Sequence, residues 1–205
     1  MSVTIKITRS IIQGSGLGPF LWLIYFADFK LLSLFNILIK FADDTSILST
    51  DNQDYSLADE FQHLLGWADD HGLSVNMLKT QELVFQRPRL NTELLPPALP
   101  QAIQRVSSCK LLGVVLDNRL KFTEHVNAIL TAVNQRLYLL TRLKNMGLDR
   151  GGLNIIFHSL VVSKLLYALP AVIGFYTQTD KNRINAVLKK AFRWGISTPC
   201  LNLQM

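Results

Sequence analysis

Two adjacent carboxylates, Asp43 and Asp44, follow Phe41 and Ala42 and stand between an apolar run at residues 34–39 and a β-branched run at 45–50. Each flank reads as a strand, and the acids fall where the chain must reverse, so their charges stay out of the core and project from one end of a sheet. Hard oxygen donors in that position suit Mg²⁺, which is commonly held by one or two carboxylates and completes its shell with waters and substrate phosphates. Acid pairs in turns are also common as plain solvated charges, so the pair needs its surroundings to acquire meaning.

Those surroundings are ordered. Arg9-Ser10-Ile11-Ile12-Gln13-Gly14-Ser15-Gly16-Leu17-Gly18-Pro19 precedes the pair, and Gly72-Leu73-Ser74-Val75-Asn76-Met77-Leu78-Lys79-Thr80 follows it. Further on comes Lys110-Leu111-Leu112-Gly113-Val114-Val115-Leu116-Asp117. In this order and at these spacings, the four stretches resemble successive palm motifs of reverse transcriptases, in particular those of LINE-type non-LTR retrotransposons. The resemblance runs from about residue 9 to 194.

It implies an α+β fold: an incomplete reverse-transcriptase palm, an antiparallel sheet with packed helices over residues 1–120, followed by a helical, basic thumb over 121–205. It further implies that Asp43 and Asp44 hold Mg²⁺, with Mn²⁺ as an alternative ion, and that Lys79 faces the leaving pyrophosphate as a general acid. A plain turn lysine is the competing reading of Lys79. Gln13, Gly14, Ser15 and Phe41 are implied to lie beside nucleotide and template, and Leu112, Gly113 and Val114 to support the primer. The implied partners are an RNA template, a DNA primer and a dNTP. The activity implied is RNA-directed DNA polymerisation; the alternative is a catalytically dead nucleic-acid-binding remnant.

The family draws a further carboxylate from a strand ahead of the glycine-rich segment, whereas the first acid here is Asp28. The expectation is therefore that this chain alone polymerises little or not at all, and that a hairpin without its neighbour strand exposes an edge and apolar surface.

With 205 residues, the chain is long enough for one large domain or two small ones, and at 49% hydrophobic and 18% charged it is globular in composition. Residues 1–100 carry seven Lys/Arg against eleven Asp/Glu, and residues 101–205 fourteen against four. A basic half joined to a half with clustered acids fits nucleic-acid phosphates in one place and metal in another, or else a solvated basic surface. Cys109 and Cys200 read as buried or incidental thiols in a reducing compartment. The polar, alternating residues 1–10 do not read as a secretory signal, so the expected location is intracellular, nuclear or cytoplasmic. Asp28 and Lys30 interrupt the apolar stretch 20–41, which argues for a helix and strand instead of a membrane span.

Among the elements, residues 3–8 alternate as a strand, and 20–29 read as a helix with Pro19 near its first turn. Residues 54–70 form an amphipathic helix stopped by His71-Gly72, with Asp59, Glu60, Asp69 and Asp70 on its solvated face and His71 at the surface. Short strands are expected at 73–75 and 82–85, and Pro88, Pro96, Pro97 and Pro100 exclude regular structure through 87–100. Residues 109–116 read as one strand, with helices following at 122–145, at 153–169 until Pro170, and at 180–194 with Thr179 or Asp180 as cap.

Overall fold

The computed structural model describes residues 14–50, 54–86, 95–100 and 103–198. The expected strand at 3–8, as well as Gln13, Pro88 and Cys200, lies outside the described residues. By internal contacts the chain divides into two units, one of residues 1–80 with 98–103, the other of 81–97 with 104–205.

The first unit carries α1 (Gly18–Tyr25), the hairpin β1 (Ile37–Phe41) and β2 (Asp44–Leu48), and α2 (Leu57–Asp70). Pro19 occupies the first turn of α1 as expected. The helix ends at Tyr25, short of 29, and the freed carbonyls of Phe26 and Phe29 accept the Lys40 ammonium at 2.5 and 3.0 Å. That ammonium also lies over both rings, at 4.5 and 5.5 Å from their centroids. Burial lowers the Lys40 pKa, with the Asp28 charge partly offsetting it.

Ser56 and Asp59 close a reciprocal capping box at the start of α2. At its end Gly72, with φ +66°, permits the Leu73 N–H to reach Ala68 O and the Gly72 N–H to reach Asp69 O, a Schellman stop.

Two expectations about α2 are corrected. Glu60 is fully buried, not solvated, because its carboxylate accepts the N–H groups of Leu32 and Ser33 and the Asn36 side-chain amide at 2.7–2.9 Å. His71 is half-buried: its ring stacks on Trp67, with centroids 4.2 Å apart, and its Nε2 lies 3.2 Å from Asp28. No strand forms at 73–75.

The second unit pairs β3 (Gln81–Leu83) in parallel with β4 (Gln104–Val106), bound by a bidentate bridge between the register partners Glu82 and Arg105. The expected single strand at 109–116 is instead a hairpin, β5 (Ser108–Leu111) and β6 (Val114–Asp117). Helices α3 (Thr123–Asn145), α4 (Arg150–Phe157), α5 (Ser163–Leu166), α6 (Leu169–Val172) and α7 (Gln178–Arg193) complete it.

Val126, Ile129, Val133, Leu137 and Leu140 of α3 meet Leu153, Phe157, Val161 and Leu165, together with Ile184, Leu188 and Ala191 of α7. Leu153, Phe157, Val161 and Leu165 recur every four residues, an interval that rotates by about 40° on a regular α-helix. A π-helical turn at His158–Val162 winds more loosely and keeps them on one face. The stretch Arg150–Phe175 is long and apolar enough to span a bilayer; here its buried face packs into this core.

Helix α4 opens at Arg150, ahead of the expected 153, because Asp149 caps it by accepting the N–H groups of Gly151 and Gly152. Pro170 opens α6 instead of ending the preceding helix, which stops at Leu166. Thr177, two residues ahead of the expected position, caps α7. A single antiparallel sheet does not form among the described residues; the strands make three separate pairs, one of them parallel. β1 has β2 as its only hydrogen-bonded neighbour there, and Ile37, Ile39 and Phe41 are 44–61% exposed.

Candidate polymerase site

Phe41 pairs with Asp44, so the two-residue turn of the first hairpin is Ala42-Asp43 and Asp44 already belongs to β2. Ala42 has φ +52° and Asp43 does not share the positive sign, the φ pattern of a type II′ turn. A residue with a Cβ in this conformation costs about 1 kcal/mol or more. The Trp22 indole N–H donates to the Ala42 carbonyl at 2.7 Å, tying α1 to the turn. Trp22 in turn stacks on Phe26 at 5.6 Å.

Both carboxylates are exposed, and neither has a hydrogen-bond or ion-pair partner among the described residues. Such a donor pair fits a Mg²⁺ ion that keeps waters and phosphate oxygens in the rest of its shell. No group of three or more His, Cys, Asp or Glu that could hold a metal occurs among the described residues.

Ser15 accepts the Gly18 N–H through its hydroxyl at 3.0 Å and so helps to start α1, and Gly14, at φ +85°, has no atom within 4 Å of where a Cβ would stand. Lys79 is exposed in a turn in which its own N–H bonds Asn76. No hydrogen bond, ion pair or ring contact joins it to Asp43 or Asp44.

Leu112 and Gly113, at φ +46° and +86°, form the two-residue turn of the second hairpin, the signature of type I′. The Tyr167 hydroxyl donates to Leu112 O at 2.6 Å, and its ring would lie 3.2 Å from a Cβ on Gly113. The Val115 N–H reaches His125 Nδ1 at 3.3 Å, while the buried Nε2 of that histidine has no partner. Burial, and then the Lys164 charge, holds the His125 pKa below its usual value.

Residues 3–116 match the family described as reverse transcriptase (RNA-dependent DNA polymerase), a span that takes in the first three motifs, the fourth as far as Leu116, and more than half of the chain. The chain belongs to the reverse transcriptase family. It is 29% identical over 197 residues to the probable RNA-directed DNA polymerase from transposon BS of Drosophila melanogaster, covering 88% of this chain and 21% of that protein. It is 28% identical over 142 residues to the corresponding protein from transposon X-element of the same fly, covering 64% and 15%. To the RNA-directed DNA polymerase from mobile element jockey of Drosophila funebris it is 26% identical over 203 residues, covering 88% and 21%. The chain thus spans about a fifth or less of the length of these relatives. No solved structure matches it.

Within this reverse transcriptase chain, sequence reasoning missed Trp22, Glu60 and Tyr167. Trp22 stood inside an apolar helix, and only the general need of an indole N–H for an acceptor hinted at it. Glu60 was hidden among the acids of an amphipathic helix. Tyr167 is extended and precedes Ala168, at φ +55°, a backbone break that no residue type announces.

Proposed function

We propose that this chain is the part of a retroelement reverse transcriptase in which Asp43 and Asp44 hold a divalent ion, Mg²⁺ or Mn²⁺, for nucleotidyl transfer to a primer 3′-hydroxyl. The observation that carries it is the pair of unpartnered carboxylates at the end of the first hairpin, Asp43 in its two-residue turn and Asp44 opening β2, inside the span matched to the family. The ion, when bound, neutralises phosphate charge and activates the attacking hydroxyl. The chain's own residues orient it: Trp22 holds the Ala42–Asp43 peptide, and Lys40 anchors β1 on the residues that follow α1. Gly14, Ser15, Phe41 and Lys79 are proposed to meet nucleotide and template, and the Leu112-Gly113-Val114 turn to support the primer. Primer, RNA template and dNTP are the proposed partners of the complete protein.

Primer extension on an RNA template tests this, comparing the chain with a protein extended upstream in its natural reading frame. Extension by the longer protein, abolished by Asp43→Asn and by Asp44→Asn, is expected. Extension that survives both substitutions refutes the reading.

A second reading, a nucleic-acid-binding part without catalysis, is favoured by the fourteen Lys/Arg against four Asp/Glu of residues 101–205. Binding that falls steeply with salt and is indifferent to Mg²⁺, with no extension by either protein, is its outcome.

A further inference from the structure

The ends of α3 and α7 and the start of α4 surround a cavity of about 300 Å³ lined by Lys144, Leu148, Arg150, Leu153 and Gly195. We propose that this cavity and the adjoining Trp194 form a site for single-stranded nucleic acid, with a backbone phosphate between Lys144 and Arg150 and a base stacked on the indole. It rests on the reading of this unit as a nucleic-acid-binding part of a reverse transcriptase and goes beyond it by naming the strand form and the residues.

Charge is the first argument. No carboxylate lines the cavity, and Lys144, Arg150, Lys190 and Arg193 make no ion pair among the described residues. The neighbouring acid, Asp149, is occupied by the N–H groups of Gly151 and Gly152. Helix stability explains part of this cluster, because Lys144, Lys190 and Arg193 sit in last turns, where cations offset the helix dipole. It does not explain Arg150, the first residue of α4, where the dipole is positive and a cation is disfavoured. An anion in the cavity accounts for Arg150 and for Lys144, the two cations that line it.

Geometry is the second. Lys144 Nζ is held by the Trp194 carbonyl at 2.5 Å, which uses one of its three N–H donors and leaves two. Gly195, at φ +66°, carries no side chain at the wall, and a Cβ there would stand 3.3 Å from that ammonium. Leu148 and Leu153 supply an apolar floor suited to the carbon face of a sugar. Trp194 itself is 40% exposed, with the Lys190 ammonium 4.5 Å from its ring centroid. An exposed aromatic beside cations is the arrangement with which proteins stack and track a single strand.

The test is equilibrium binding of the whole chain to fluorescein-labelled oligothymidylate and to an RNA–DNA hybrid, by anisotropy over a salt series, with tryptophan quenching and a thermal melt for each variant. Arg150→Gln should weaken oligothymidylate binding several-fold and lower the log–log salt slope by about 0.7, the loss of one single-strand phosphate contact. Trp194→Leu should weaken it about tenfold with the slope unchanged, while Trp194→Phe, which keeps a stacking ring, restores it. If the hybrid binds but Arg150→Gln and Trp194→Leu take up oligothymidylate like the parent chain, this site is refuted and the broader reading stands. If Trp194→Leu and Trp194→Phe are equal, the stacked base is refuted. If the parent chain binds neither probe at low salt, both readings fall.

Discussion

The indole N–H of Trp22 and the carbonyl of Ala42, 2.7 Å apart, join residues twenty positions distant at the turn that carries the acid pair. That carbonyl belongs to the peptide leading into Asp43, so the bond sets the plane from which the Asp43 side chain departs. Trp22→Phe keeps a ring to stack on Phe26 and deletes the donor. Stability should fall by about 1 kcal/mol, the usual net worth of one hydrogen bond, with faster amide exchange at residues 42–44. Unchanged exchange there would show that the turn holds without α1.

Gly113 is required twice over, by φ +86° and by the Tyr167 ring 3.2 Å from its absent Cβ. Gly113→Ala should therefore cost about 2 kcal/mol, combining backbone strain with a displaced ring. Tyr167→Phe, which removes only the hydroxyl bound to Leu112, should cost about 1 kcal/mol. Urea unfolding of both variants and of the double variant measures the coupling; strictly additive losses would mean that the ring and the turn do not share strain.

Glu60 satisfies three donors from the loop that leads into β1. Removing it by Glu60→Ala leaves the Ser33 N–H and the Asn36 amide buried without an acceptor, at about 1–3 kcal/mol each, so a loss of about 2 kcal/mol or more is expected. Glu60→Gln, which keeps one carbonyl oxygen, should lose less. Denaturant midpoints give the order, and equal losses would mean that the oxygen retained in glutamine satisfies none of these donors.

Acidification should weaken the second unit through His125. Its folded pKa lies below the unfolded value of about 6.5, so above that pH both states are neutral and the group adds no pH dependence. As pH falls below about 6.5 the unfolded chain takes a proton that the folded one refuses, and stability declines until the folded pKa is passed. Protonation there also removes the Nδ1 acceptor of the Val115 N–H. His125→Gln should flatten the dependence of the urea midpoint as pH falls below about 6.5; a slope identical to that of the parent chain would assign it elsewhere.

Asp117 titrates lower and with the opposite cause. Burial pushes its carboxyl up, but the N–H groups of Lys121, Arg119 and Phe122, with the Lys121 charge, outweigh this and bring it below the usual value. Its contribution is complete above about pH 3.9 and disappears as pH falls through the lower folded pKa, outside the window in which His125 acts.

Much of the chain was legible as pattern. The Asp43-Asp44 hairpin, the stop at Gly72 and the long helix α3 follow from side-chain periodicity and turn chemistry within a few residues, and the motif order pointed to the reverse transcriptase family that residues 3–116 match. Residues 109–116 misled because a run of apolar and β-branched residues looks the same whether it crosses a sheet once or doubles back; the pairing of Leu111 with Val114 alone reveals the turn. Likewise Glu60 appeared as one acid among several until Leu32, Ser33 and Asn36 surrounded it. Local spacing dictates which face of a strand or helix is apolar, but a hydrogen-bonding group is defined by its partner. For Trp22, Glu60 and Tyr167 that partner lies 20 to 55 residues away, where no local period reaches.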